Sequence, residues 1–416
     1  MSCVGIITEY NPFHNGHRYH IEKAKELSQA DTVLCVMSGN FVQRGEPAVI
    51  DKYVRTHMAL KLGVDLLCEL PFYYACASAE TFAYGAVHTL AQLGANYLCF
   101  GSECGDIDLL TTIAGVLADE PEELSLFIQE KSASGVTFPV ARMQALLLYF
   151  KKHQQLLNVD CKTLDSVLKS PNNILGIEYV KIIIRDHLSL IPLTVTRAGS
   201  AYHEIEINGS MPSATSIRSL CEKAADWSTV SKMLSDSVPD VVLHELTDAY
   251  HKTFPVSIDD FTPVLNASLY QMLHLDKDVL LTYTDLTPSL VNRIQNYFTG
   301  FLSFSAFTMQ LKSRELTYAR VSRCLLHCIT AHTTSLYHKY MSDRIPYIRI
   351  LGFTKAGQAQ LSIVKKHTDV TLITKPAAYK ELLSEDIYAS DLYRMIVFQK
   401  YGTQLPAELT HSPIRL

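Results

Sequence analysis

The sequence predicts an α/β fold: a parallel, doubly wound nucleotide-binding domain over residues 1–220, with a helical insertion around 107–186, followed by a mostly α-helical domain over 221–416. Three observations carry this expectation. Short apolar runs alternate with helix-like segments through the first half, turns rich in Gly, His and Ser directly follow those runs, and strand signal largely fades after Arg218. In order, the run Val4 to Thr8 reads as a strand, broken by Asn11-Pro12, and helical periodicity resumes from Gly16 through Leu27. Thr32 to Met37, Leu66 to Leu70, Tyr97 to Gly101 and Ile191 to Thr196 read as further strands, with helices at Asp51 to Leu62 and Ser78 to Leu93 between them. From Ile107 to Asp186 the pattern is helical; Asp119, Glu120, Glu122 and Glu123 open one helix and Pro139 another. Ser216 to Leu234, Thr287 to Phe298 and Ser305 to Cys328 carry helical spacing in the second domain. No repeat of 20 to 50 residues and no low-complexity segment is present.

Composition points to a cytoplasmic enzyme. The 416 residues are 48% hydrophobic and 19% charged, enough for two cores at about 150 residues per domain. The opening residues run directly into a strand without a basic stretch and an apolar stretch ahead of it, so no export signal is expected, and Thr81 to Ser102, free of Asp, Glu, Lys and Arg, is interrupted by His88, Gln92, Gly94 and Asn96 before it reaches membrane length. The ten cysteines lie mostly in apolar runs, as reduced core thiols do. The net charge of -5 argues against a general nucleic-acid binder. Locally, however, Lys312 to Arg349 holds seven cations (Lys312, Arg314, Arg320, Arg323, Lys339, Arg344, Arg349) against two acids, with Tyr318, Tyr337, Tyr340 and Tyr347 interleaved. Cations for phosphates and aromatics for unstacked bases suit a single-stranded RNA loop, although a solvated helical face has the same composition.

The chemistry concentrates where strands end. His14-Asn15-Gly16-His17 follows the first strand at a helix N-terminus, where free N–H groups and the helix dipole favour an anion. Gly16 lets backbone approach a phosphate, and His14 and His17 are spaced to face the same oxygens. Ser213-Ala214-Thr215-Ser216-Ile217-Arg218 offers hydroxyls at a helix start and an arginine one turn on, either an ordinary cap or a second phosphate grip. Cys324, His327 and Cys328 share a helix face, yet no second ligand pair accompanies them, so no metal site is assigned. His203 and Glu204 beside Tyr202 read as a surface loop.

NPFHNGHRYH at 11–20, SGNFVQRGEPAVIDK at 38–52, GSE at 101–103, SPNNILGIEY at 170–179, SATSIR at 213–218 and PYIRILGF at 346–353 together resemble the tRNA(Met) cytidine acetate ligase family of HIGH-superfamily nucleotidyltransferase-like enzymes. The resemblance implies that ATP activates acetate as acetyl-adenylate, which then acetylates N4 of the wobble cytidine of elongator tRNA(Met). It implies that Ile7, Thr8, Glu9, Tyr10, Asn11, Pro12, Phe13, His14, Asn15, Gly16, His17 and His20 wrap ATP, with Gly101, Asn172 or Asn173, Arg197, Ser213, Thr215 and Arg218 completing the nucleotide site. His14, His17, Lys52 and Arg218 are the expected catalytic groups, Lys52 and Arg55 meeting the acyl carboxylate or pyrophosphate. Arg320, Arg323, Lys339, Arg344 and Arg349 are the expected RNA contacts, Mg²⁺ is expected with the triphosphate, and no protein metal site is expected. Two rivals keep the fold, a cofactor-precursor adenylyltransferase and a pantothenate-synthetase-like ligase; half of this chain would have no task in the first. A third is a non-catalytic RNA-binding protein.

Overall fold

The computed structural model describes residues 2–157, 159–197, 213–223, 226–275, 277–341 and 345–416. Ten strands are found among them: β1 (Cys3–Thr8), β2 (Thr32–Ser38), β3 (Phe41–Val42), β4 (Glu46–Pro47), β5 (Leu66–Leu70), β6 (Tyr97–Ser102), β7 (Ile191–Thr196), β8 (Tyr347–Phe353), β9 (Thr371–Ile373) and β10 (Ile414–Arg415). The main sheet runs β10-β8-β5-β2-β1-β6-β7, with β9 also on β8, while β3 and β4 form a separate hairpin. All five expected strands are present and mutually parallel, β1 between β2 and β6.

Every residue of β2 is buried, as a central parallel strand covered on both faces requires. Its period of two divides the interior: Leu34 and Val36 join one core with Leu66, Cys68 and Leu90, whereas Val33, Cys35 and Met37 join another with Met58 and Leu67. A third core, around Phe261, Leu290, Phe307, Leu325 and Ile396, belongs to the helices between 258 and 329 and to the helix Ser384–Tyr401. The hairpin is its bridge to the sheet, since Phe41 meets the rings of Phe72, Phe261 and Tyr393. At its tip, Gly45 adopts φ +76, and a Cβ there would stand 2.4 Å from the Arg323 backbone nitrogen. The helix Tyr318–Ile329 therefore lies flush on the hairpin, and Ser322 Oγ donates to the Gly45 carbonyl at 2.7 Å.

The division at residue 220 needs a correction. After the helical stretch, β8 enters the first sheet antiparallel to β5, and β9 and β10 pair with β8. All seven residues of β8 are buried. PYIRILGF is thus a strand of the sheet's own core, and the C-terminal part returns three strands to that sheet, with the helices Lys355–His367 and Ser384–Tyr401 set between them.

Candidate nucleotide site at the strand ends

A cavity of about 240 Å³ opens beyond the carboxyl ends of β1, β6 and β7, where parallel α/β sheets bind ligands. Ile7, Thr8, Glu9, Tyr10 and Asn11 form its rim, and the helix Asn15–Ser28 starts in its wall. The two histidine rings stack there, with centroids 3.7 Å apart. The backbone N–H of His14 donates to His17 Nδ1 at 3.2 Å. A nitrogen that accepts carries no proton, so Nε2 of neutral His17 bears the hydrogen and is a donor. Gly16 makes room for this stack, because a Cβ on it would meet His14 Cε1 at 2.9 Å.

Burial first, and then Arg197 and Arg218, lower the His14 pKa to about 3; burial and Arg197 lower that of His20 to about 4, and burial with His14 and Arg197 depresses His17. The imidazoles are therefore neutral at pH 7, and the site's positive charge resides in Arg44, Arg197 and Arg218. The unfolded histidines would titrate near 6.5. Below that pH the unfolded chain binds the extra protons, so folding stability falls as pH drops from about 6.5 towards 3. Thermal melts across this range should show a shallower acid slope in His14→Gln; an unchanged slope would mean that His14 takes up its proton while folded.

Opposite the histidines, Arg218 donates to the Asn11 carbonyl at 2.8 Å and to Thr215 Oγ1 at 3.3 Å, tying the helix Ala214–Lys223 to the β1 turn. Ser213 caps that helix by accepting from the Ser216 N–H at 3.1 Å. Arg197 follows β7 and donates to Asn172 Oδ1 at 3.2 Å, while a Cβ on Gly101 would press on the Arg197 side chain at 3.3 Å. Asn172 is the asparagine in the cavity wall. Asn173 is buried and spent on structure, accepting from the Glu103 and Cys104 N–H groups at 2.8 and 3.2 Å.

The sequence reading missed the hairpin and the apolar wall. Val42, Gln43, Arg44 and Glu46 line the cavity, brought there because the Gln43 N–H donates to Glu9 Oε1 at 2.8 Å. Phe82, Phe100, Leu175 and Tyr179 add a face suited to an aromatic base. The hairpin lay inside the quoted motif VQRGE, and Leu175 and Tyr179 inside ILGIEY, but two-residue strands have no periodicity to read, and Phe82 and Phe100 lie in no quoted motif.

The chain matches the model of the family described as HIGH Nucleotidyl Transferase over residues 1–406. It is 38% identical to the tRNA(Met) cytidine acetate ligase of Caldicellulosiruptor saccharolyticus, covering 100% of this chain and 98% of that protein, and 37% identical to that of Clostridium novyi, covering 100% of both. The chain belongs to the tRNA(Met) cytidine acetate ligases. Crystal structures of Thermotoga maritima TmcAL, apo and bound with alpha-thio ATP, superpose with TM-scores of 0.92 and 0.90 at 30% identity, each over 100% of both chains. The fold class expected from the sequence is thus that of the acetate ligases.

Several expected residues of this ligase stand elsewhere. Lys52 is fully buried, 2.6 Å from both Glu69 and Glu408, and does not reach the cavity. Arg55 is equally buried, donating to the carbonyls of Glu9, Ser38, Gly39 and Ile50, so it braces the β1 and β2 turns and is not a solvated cation. Pro12 and Phe13 face inward, and Asn15 turns to the Asp236 and Ser237 carbonyls. Of the RNA candidates, Arg349 is 1% exposed, 2.5 Å from Glu408 Oε1, and cannot meet a phosphate. Tyr340 and Tyr347 are buried as well. Arg323 donates to the Gln43 carbonyl at 3.3 Å and so serves the hairpin; Arg320 and Lys339 lie on the helices Tyr318–Ile329 and Thr334–Met341. Arg344, His203 and Glu204 lie outside the described residues. Among the described residues no helix is long and apolar enough to cross a membrane.

Proposed function

We propose that this chain activates acetate with ATP as acetyl-adenylate and transfers the acetyl group to N4 of the wobble cytidine of elongator tRNA(Met), releasing pyrophosphate and then AMP. The observation that carries the reading is the single cavity that joins neutral, donor-poised His17 to three arginines beside an apolar wall. Adenine lies on Phe82, Phe100, Leu175 and Tyr179, and the triphosphate crosses the His14–His17 helix start. An acetate oxygen attacks the α-phosphorus in line, the bond to pyrophosphate breaks, and His17 Nε2–H with Arg197 stabilises the equatorial oxygens. Arg44 and Arg218 neutralise the departing pyrophosphate. The cytidine amine then attacks the acetyl carbon, AMP leaves, and the amine loses a proton. Among the described residues no three His, Cys, Asp or Glu side chains are grouped to hold a metal ion. Mg²⁺ accompanying the triphosphate would supply further neutralising charge beside Arg44, Arg197 and Arg218. Residues 1–220 with β8–β10 form the catalytic unit, and the helices between act on tRNA.

The test is ATP–pyrophosphate exchange with radiolabelled acetate, with and without bulk tRNA, followed by assay for label in the RNA. Acetate-dependent label in tRNA is expected. Exchange that ignores acetate and leaves RNA unlabelled would turn the reading to a small-molecule adenylyltransferase. Arg320→Glu should weaken tRNA binding and spare ATP binding, whereas Arg323→Glu should disturb both, because Arg323 also holds the cavity's hairpin. Equal tRNA affinity in Arg320→Glu would remove that helix from the RNA path.

A further inference from the structure

A second cavity, of about 200 Å³, shares no wall residue with the first. The first turn of the helix Ala79–Gln92 and the residue capping it divide the two: Phe82 faces the first cavity, while Ser78 and Thr81 face the second. Its floor is buried, with Tyr73, Thr284, His327 and His332 at 7% exposure or less, and Ser78, Asp285 and His338 are exposed at its mouth. The floor's polar groups are not all used by the fold. Thr284 Oγ1 has no hydrogen-bond partner, and His332 Nδ1 stands 3.5 Å from Glu385 Oε2, beyond a good hydrogen bond. Buried polar groups left this way call for a partner that the chain does not supply.

The lining selects the partner's chemistry. Asp285 offers a carboxylate acceptor, while Thr284 and the Thr81–Tyr337 hydroxyl pair, 3.2 Å apart, offer donors. A phosphate would be opposed by Asp285, and an apolar group would leave the hydroxyls and imidazoles unpaired. A flat heterocycle with one exocyclic amine and adjacent acceptors meets both sets, and Tyr337 supplies a ring to lie against it. Tyr337 and His338 sit on the helix Thr334–Met341 next to exposed Lys339, within the basic, tyrosine-bearing segment.

We propose that this cavity receives one splayed nucleobase of the tRNA anticodon loop, an adenine or cytosine whose amine donates to Asp285. The proposal rests on tRNA being the substrate. The captured base is a neighbour of the acetylated cytidine and not that cytidine, since an amine committed to a carboxylate is held away from the acyl-adenylate in a separate cavity. Captured in this way, the neighbouring base fixes the register of the loop over the nucleotide site and contributes to the choice of tRNA.

The experiment measures the affinity of the full chain for elongator tRNA(Met) transcripts in which each adenine or cytosine of the anticodon loop is replaced singly by uracil. One position besides the acceptor should cost the wild type about tenfold in Kd. Asp285→Asn should erase that penalty, because an amide pairs with either pattern, and Tyr337→Ala, on the cavity's solvent side, should weaken every transcript several-fold while leaving ATP affinity unchanged. The proposal is overturned if no such position exists, or if Asp285→Asn and Tyr337→Ala both behave as wild type. A wild type that neither binds nor acetylates tRNA would overturn the proposed function itself.

Discussion

His17→Ala is expected to lower acetate-dependent ATP–pyrophosphate exchange about 10²- to 10³-fold, with a much smaller change in ATP affinity. The reason lies in one hydrogen bond. His17 Nδ1 accepts from the His14 N–H, which leaves the Nε2 hydrogen as a fixed donor beside the phosphate path. A fixed donor aimed at an oxygen that gains charge is worth about 2.7–4 kcal/mol in the transition state and little in the ground state. The identity of the nitrogen gives a second readout. Glutamine places its amide nitrogen near the position of Nε2 and asparagine does not, so His17→Gln should recover part of the rate and His17→Asn should not. Because burial keeps His17 neutral, the rate should also stay level through pH 6 to 7, where a histidine at its ordinary pKa would titrate. Equal rates in His17→Ala and wild type would remove His17 from the chemistry.

Glu408→Ala should cost about 3–5 kcal/mol of folding stability without any contact to the nucleotide cavity. Glu408 belongs to a short turn near the C-terminus and lies 2.6 Å from Lys52 Nζ and 2.5 Å from Arg349 Nη1; Glu69 completes a neutral quartet within 3.3 Å of the same two cations. Burial alone would raise the Glu408 pKa, yet Lys52 and Arg349 bring it down to about 2. Its contribution is therefore complete above about pH 4.5 and is lost as pH falls towards 2. Truncation leaves two buried cations facing one carboxylate, and the midpoint of urea unfolding should shift accordingly. Lys52→Met combined with Glu408→Leu should cost less than Glu408→Ala, because both charges leave together. A loss below about 1 kcal/mol for Glu408→Ala would mean that water reaches the quartet.

How far the chain can be read from its sequence depends on whether a residue's partners are local. The five parallel strands were legible because each is a short, mainly apolar run between helix-like segments, and the histidine turn because it follows the first of them. The fate of Lys52 was not legible. A buried lysine is recognised by its counter-charges, and Glu408 is more than 350 residues away in sequence. Arg349 misled for the same reason, since a count of cations over a segment does not distinguish those on helices from one inside a strand. The asparagine pair could be resolved only once the helix Pro171–Arg185 was placed beside the Glu103 backbone, which fixes which of two neighbouring amides turns inward.

The late arrival of β8 also has a kinetic side. Until residues 347–353 have been synthesised, β5 presents an open edge that is apolar but for Glu69, and nearly 280 residues separate it from the strand that closes it. Contacts at that separation form slowly, because a long loop must close before any pairing is gained. During translation the N-terminal sheet is thus a sticky intermediate, whose exposed border invites pairing with other chains. A chain truncated before residue 347 would keep every cavity-lining residue and still be expected to aggregate.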